Sequence, residues 1–281
     1  MSHFVTTQWL ADHLDDPDVQ VIDASWHMPN SGRNAHAEYV AGHIPGAIFF
    51  DLDKNADTTS GLPHMLPDAV TFSAMAGALG IASDKTLVVY DEAGLFSAPR
   101  AWWTFSVVGA REVKILEGGG PRWRAENRPL ETGESTAPAA TFDAKFDGGA
   151  VASFQDVHAA SQAGHQIVDA RGAARFTGDT PEPRAGLKSG HIPSSRNLPF
   201  DALIADGALK PDAELEAAIR AAGIDPEKPV ITSCGSGVTA AVLALALDTV
   251  GANKIALYDG SWTEWGGRDD APVETGPARP V

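Results

Sequence analysis

Short apolar runs alternate with longer helical stretches along the whole chain. Val19–Asp23, Thr86–Asp91 and Glu112–Leu116 are short, apolar and rich in β-branched residues, which predicts buried strands. Ile167–Asp169, Pro229–Ser233 and Lys254–Tyr258 give the same signal later in the chain. Pro67–Ala78 and Pro211–Ala222 predict helices, since each opens on Pro and Asp and has a glycine, Gly80 or Gly223, just past its end. Strands that alternate with helices imply an α/β fold in which mostly parallel sheets carry helices on both faces.

The elements occur twice in one order. Asp212 stands 144 residues after Asp68, and Lys228 stands 143 after Lys85, so the two helix-to-strand segments match with a one-residue difference. Upstream, VIDAS (Val21 to Ser25) matches IVDAR (Ile167 to Arg171), and GHIPG (Gly42 to Gly46) matches GHIPS (Gly190 to Ser194). Downstream, LEGGGPRW (Leu116 to Trp123) matches YDGSWTEW (Tyr258 to Trp265). This is a duplicated domain. The expected division is an N-terminal domain at 1–125, a linker at 126–150 and a C-terminal domain at 151–281. The linker is rich in Glu, Thr, Pro, Gly and Ala, lacks strong periodicity, and reads as a strap across the surface.

Composition narrows the function. With 43% hydrophobic and 21% charged residues, the 281-residue chain can build substantial cores. A net charge of -16 argues against a general nucleic-acid or anionic-membrane binder. The opening MSHFVTTQWL has no basic region followed by an apolar run, and the longest apolar candidate, Ala240–Leu247, is far shorter than the roughly 20 residues of a membrane helix. A cytoplasmic protein is the expectation, as a monomer whose two halves form an internal pseudo-dimer. The single cysteine cannot form an intramolecular disulfide, and no Cys/His cluster has structural zinc spacing. No metal or organic cofactor is expected.

A lone cysteine is often just a small buried hydrophobe, so its neighbours must decide. Cys234 follows the strand PVITS and opens CGSGVT, ahead of the helical run TAAVLALALDTV. In open parallel sheets, ligands gather at the carboxyl edge of the strands. Gly235 and Gly237 allow a tight loop whose backbone N–H groups turn inward, and the following helix adds its positive end. A thiolate is stabilised there, as a nucleophilic cysteine requires. In the first half, Asp91 stands 143 residues before Cys234 and takes its place. Aspartate has no sulfur chemistry, so the first domain reads as a non-catalytic copy.

The tandem halves, the paired HIP motifs and the CGSGVT loop resemble the rhodanese family, in its mercaptopyruvate-using branch. FFDLD (Phe49 to Asp53), LPHMLP (Leu62 to Pro67), LFSAPRAWW (Leu95 to Trp103) and YDGSWTEWGGR (Tyr258 to Arg268) extend the resemblance over nearly the whole chain. It implies two rhodanese-like domains and sulfur transfer from 3-mercaptopyruvate through a Cys234 persulfide. Pyruvate would leave, and a thiol, or cyanide in an assay, would accept the sulfur. Thioredoxin-like proteins, small thiols and dedicated carriers all fit as acceptors. Relatives that use thiosulfate carry basic residues directly after the cysteine, where this chain has Gly235 and Ser236. Thiosulfate transfer on the same fold, and a non-enzymatic sulfur-binding scaffold, are the alternatives.

The resemblance also assigns roles to residues. Arg175 and Arg184, in ARFTGDTPEPRAG, match the substrate-binding arginines, and a planar guanidinium suits a carboxylate because it can bind it through two parallel hydrogen bonds. The N–H groups from Gly235 through Ser236, Gly237 and Val238 to Thr239 would stabilise sulfur anions. Ser236, His64 and Asp53 would form a proton relay, and because His64 and Ser236 lie in different halves of the sequence, a site between the halves is expected. His43 and His191, one in each GHIP segment with no third ligand nearby, read as turn and packing residues. Arg100 reads either as half of an interdomain ion pair or as a contributor to the site. Trp102, Trp103, Trp262 and Trp265 read as packing residues. A cysteine phosphatase would need arginine where Ala240 stands, and no GxSxG segment surrounds Ser236.

Overall fold

A computed structural model, describing residues 2–279, builds the same sheet twice. Phe4–Val5 (β1), Val19–Asp23 (β2), Ile48–Phe49 (β3), Thr86–Tyr90 (β4) and Glu112–Leu116 (β5) form a five-stranded sheet in the order β1-β5-β4-β2-β3, with every pairing parallel. Val151–Ala152 (β6), Gln166–Asp169 (β7) and Arg196–Asn197 (β8) precede a two-stranded pair, Ile204–Ala205 (β9) and Ala208–Leu209 (β10). Val230–Ser233 (β11) and Ile255–Tyr258 (β12) then complete a second parallel sheet, ordered β6-β12-β11-β7-β8. Strand for strand, the second order repeats the first. All of β4 except Thr86 is buried, as in a strand covered on both faces, and such a strand shows a continuous apolar run rather than alternation.

The helices of the first half are Thr7–Asp12 (α1), Ala35–Ala41 (α2), Ala69–Ala78 (α3), Ala98–Val107 (α4) and Gly119–Ala125 (α5). Phe154–Ala163 (α6), Ala173–Thr177 (α7), Asp212–Ala221 (α8), Ala240–Thr249 (α9) and Ser261–Trp265 (α10) follow. The proline-aspartate starts work differently in the two repeats. Asp68 caps α3 by accepting the Thr71 N–H at 2.8 Å. Asp212 is instead the first residue of α8, where it and Glu214 complement the positive helix end. Gly80 and Gly223 follow in left-handed conformation, at φ +81° and +76°, and stop both helices. Every residue from Ala240 to Leu247 in α9 is buried, which is why that helix is apolar all round. Among the described residues, no helix is long and apolar enough to cross a membrane.

Two compact units result. One takes the described residues up to Asp57, Leu66–Asp147 and Asp206–Ala208; the other takes Thr58–Met65, Gly148–Ala205 and the described residues from Leu209 onward. The stretch after α5 therefore packs on the first unit as far as Asp147. Its N–H groups bond to helix-end carbonyls, Ala140 to Gly77 at 2.9 Å and Lys145 to Val108 at 2.8 Å. Phe142 inserts among Phe72 and Phe105. Bonding of this kind follows the shape of the unit beneath, so the segment carries no period of its own.

Both GHIP histidines are buried packing residues. His43 stacks on Tyr39 at 4.0 Å, with Nδ1 on the Tyr39 carbonyl and Nε2 on Ser135 Oγ. His191 stacks on Phe176 at 3.8 Å, with Nδ1 on the Phe176 carbonyl, and burial holds it below the usual imidazole range. Trp123, Trp262 and Trp265 fill the cores, while Trp102 and Trp103 are nearly buried on α4. Each such side chain contributes roughly 2–3 kcal/mol by leaving water.

Candidate active site around Cys234

Cys234 is the first residue beyond β11, the middle strand of the second sheet, and it is buried. Its N–H donates to Ser261 Oγ at 3.2 Å, and its carbonyl accepts the Trp262 N–H at 2.9 Å. The Gly235 carbonyl accepts both the Thr263 N–H at 2.9 Å and the Thr263 hydroxyl at 2.7 Å. The start of α10 thus clamps the cysteine backbone. Ser261 holds its place at φ +49°, a left-handed conformation that serine seldom adopts, with Oγ donating to the Tyr258 carbonyl. In the first unit Gly119 has the matching conformation, φ +56°, and the Gly120 N–H bonds to the Asp91 carbonyl.

The two loop glycines answer different needs. Gly237 sits at φ +81°, where a side chain would strain the backbone. Gly235 is outside that region, but a Cβ there would lie 3.1 Å from Arg175 Nη2, so its bareness admits the guanidinium. The backbone N–H groups of Gly235, Ser236, Val238 and Thr239 have no oxygen acceptor among the described residues. Thr239, at the start of α9, makes no side-chain cap.

The first unit shows what such a loop holds. The buried Asp91 carboxylate accepts four backbone N–H bonds, from Ala93 on Oδ1 and from Phe96, Ser97 and Ala98 on Oδ2, at 2.7–2.8 Å. Ser97 gives α4 no side-chain cap; Asp91 does that work instead. The loop between the middle strand and the next helix is therefore an anion cradle, filled in the first unit by the chain's own carboxylate.

Arg175, on α7, carries the cation to the Cys234 loop. Glu182 takes its Nε and Nη2 at 3.1 and 2.6 Å, which leaves the Nη1 end of the guanidinium for a ligand. Glu182 also binds Arg171 Nη1 at 2.8 Å, and Arg171 grips Asp169 through Nε and Nη2 while lying 4.3 Å over the Trp262 ring. Burial alone would pull Arg171 down, but Asp169 and then Glu182 hold it above its ordinary value. Arg184 lies half-buried two residues beyond Glu182.

His64 and Ser236 are both buried, and His64 Nδ1 is 3.2 Å from the Ser236 carbonyl oxygen. The contact is with the main chain, so it fixes the imidazole against the loop without itself joining it to the Ser236 hydroxyl. Segment Thr58–Met65 belongs to the second unit, so His64 meets Ser236 inside that unit despite its place in the first half of the sequence. Asp53 is exposed in the first unit and accepts a bond from Trp26 Nε1 at 3.1 Å. Arg100 is buried on α4, 4.6 Å over the Trp103 ring. Among the described residues, no group of His, Cys, Asp and Glu could hold a metal ion.

Sequence reasoning missed Glu182, Arg171 and Ser261. A signal existed for Arg171: the matched segments VIDAS and IVDAR differ in charge at their last residue, Ser25 against Arg171. Glu182 gave none, because an acidic residue in a Pro-rich loop reads as solvated.

Known proteins agree with this architecture. Residues 6–126 and 153–268 each match the rhodanese-like domain. The 3-mercaptopyruvate sulfurtransferase of Escherichia coli K12 is 49% identical over 273 residues, covering 96% of this chain and 97% of that one. The human 3-mercaptopyruvate sulfurtransferase is 41% identical over 269 residues, covering 93% and 91%. The crystal structure of SseA from Escherichia coli superposes with a TM-score of 0.87 at 46% identity, covering 93% of this chain and 99% of that one. The chain belongs to the rhodanese family, with two rhodanese-like domains in tandem.

Proposed function

We propose that this chain is a 3-mercaptopyruvate sulfurtransferase working through a Cys234 persulfide. The Cys234 thiolate attacks the donor's sulfur, and the C–S electron pair stays with carbon, giving pyruvate enolate, which takes up a proton. An acceptor thiol then removes the outer sulfur and returns Cys234 to its starting state. The observation that carries the reading is the Asp91 cradle: a loop of the same position and order, in the same chain, collects four N–H groups around an anion. In the second unit the anions to be stabilised are the thiolate and the persulfide. Arg175 supports a carboxylate-bearing donor, because its guanidinium lies beside Gly235 and Glu182 leaves Nη1 untaken. Arg184 serves the same donor. His64 and Ser236 supply the proton the enolate needs. The relatives named 3-mercaptopyruvate sulfurtransferase support the donor class. Location in the cytoplasm as a monomer, with a thioredoxin-like or small thiol as acceptor, completes the proposal.

The test is pyruvate and sulfane-sulfur formation from 3-mercaptopyruvate with a thiol acceptor, with thiosulfate in parallel and Cys234→Ser as control. Preference for mercaptopyruvate, lost in the variant, is the expected result. Preference for thiosulfate would keep the nucleophile and overturn the donor.

A further inference from the structure

We infer that Glu182 sets the charge of the donor, by tuning Arg175 so that the site favours a singly charged carboxylate over a dianion. The inference rests on the proposed roles of Cys234 and Arg175.

Four side chains form an alternating chain: Asp169, Arg171, Glu182 and Arg175. Asp169 meets Arg171 at 2.7 Å, Arg171 meets Glu182 at 2.8 Å, and Glu182 meets Arg175 at 2.6 Å. Formal charges along it run minus, plus, minus, plus and sum to zero. The first three side chains are 1–2% exposed, and Arg175, at 27%, is the end that reaches the surface. That end lies against Gly235. The loop from Gly235 to Thr239 adds no charged side chain of its own.

A donor facing Arg175 therefore meets a geometrically fixed fork whose positive charge is already matched from behind. A carboxylate gains two directional hydrogen bonds from it. A dianion brings a second charge for which these four residues supply no counter-charge, so only Arg184 is left to meet it, and next to a buried cysteine that excess is weakly screened. Arg171 cannot supply it, because Asp169 and Glu182 occupy its Nε, Nη1 and Nη2 groups. Glu182 thus does two things through Arg175. It orients the guanidinium, and it cancels the charge that a dianion would need.

Glu182→Gln keeps the side-chain size and leaves the network with one positive charge in excess. The measurement is kcat/KM for 3-mercaptopyruvate and for thiosulfate, with cyanide as acceptor, in the wild type, Glu182→Gln, Arg175→Gln and the double variant. In Glu182→Gln the ratio of thiosulfate to mercaptopyruvate should rise on the order of tenfold, the size expected of one weakly screened unit charge. Arg175→Gln removes the fork itself, so the double variant is compared with it rather than with wild type: neutralising Glu182 in that background should again raise the ratio. A purely structural role would slow both donors in parallel and leave the ratio unmoved in Glu182→Gln, which would overturn the inference. Should Glu182→Gln not fold, a double variant whose ratio equals that of Arg175→Gln overturns it equally. A wild-type chain that forms no pyruvate from 3-mercaptopyruvate overturns the proposed function, and this inference with it.

Discussion

Asp23 ends β2 and is buried, with Oδ1 accepting the Ser25 N–H at 2.9 Å and Oδ2 lacking a hydrogen-bond partner. Its counterpart Asp169, at the end of β7, has the Arg171 guanidinium across it. Position 25 is serine, so the first unit lacks that cation. Burial accordingly pushes Asp23 from 3.8 up to about 6, against the lowering effect of its bonds to Ser25. A folded-state value raised above the unfolded one means that stability is fully present below about pH 3.8 and falls as pH rises toward 6. A rise of about two pH units corresponds to roughly 3 kcal/mol. Asp23→Asn keeps the acceptor for Ser25 and removes the ionisation. Relative to wild type, the variant should gain roughly 2–2.5 kcal/mol between pH 4 and pH 7, most of it between pH 4 and 6. Denaturant titrations of both proteins at half-unit pH steps give the difference directly, and titrations common to both cancel. Parallel stability curves for the two proteins across that range would refute the argument that a buried carboxylate without the guanidinium its counterpart has ends β2.

Other substitutions probe the site and its scaffold. Arg171→Met leaves the buried Asp169 and Glu182 carboxylates without their shared cation and should cost about 3–5 kcal/mol in a urea titration at neutral pH. Asp91→Ala strips four N–H groups of their acceptor and should lower stability by on the order of 3 kcal/mol. Gly235→Ala puts a Cβ 3.1 Å from Arg175 Nη2, so KM for mercaptopyruvate should rise severalfold with little loss of stability; Gly237→Ala, at φ +81°, should instead lower stability by about 1–2 kcal/mol. His64→Ala and Ser236→Ala should each lower the steady-state kcat by roughly 10²-fold if they move the enolate proton, and unchanged turnover in both would end the relay.

The sheets were legible because parallel strands buried on both faces are written as unbroken apolar runs, and β2 and β5 fall on the stretches so read. The short strands were not legible. Ile48–Phe49 and Arg196–Asn197 have two residues each, too few for any period, and they pair only because the longer strand beside them offers its edge. The duplication made the nucleophile legible, because it set Asp91 against Cys234. It did not reveal that Thr58–Met65 joins the second unit, since that depends on contacts distant in sequence. For the same reason His64 read as a residue of the other half.

The comparison of the two loops also explains why one unit can lose its cysteine without losing its fold. A strand-to-helix loop that turns several N–H groups inward needs something to accept them, because an unpaired buried donor costs about 1–3 kcal/mol. In the first unit Asp91 accepts four of them and stands in for the missing cap of α4, so that loop is satisfied by its own chain. In the second unit a side chain one bond shorter, ending in sulfur, stands at that place, and Gly235, Ser236, Val238 and Thr239 keep their donors for an anion from outside the loop's own side chains. The clamp compensates: Ser261, Trp262 and Thr263 hold Cys234 and Gly235 with four hydrogen bonds, where the first unit bonds the Asp91 carbonyl through Gly120. Rigidity that one loop draws from its carboxylate, the other draws from the start of α10, and a loop held from behind can present donors in front without collapsing onto them.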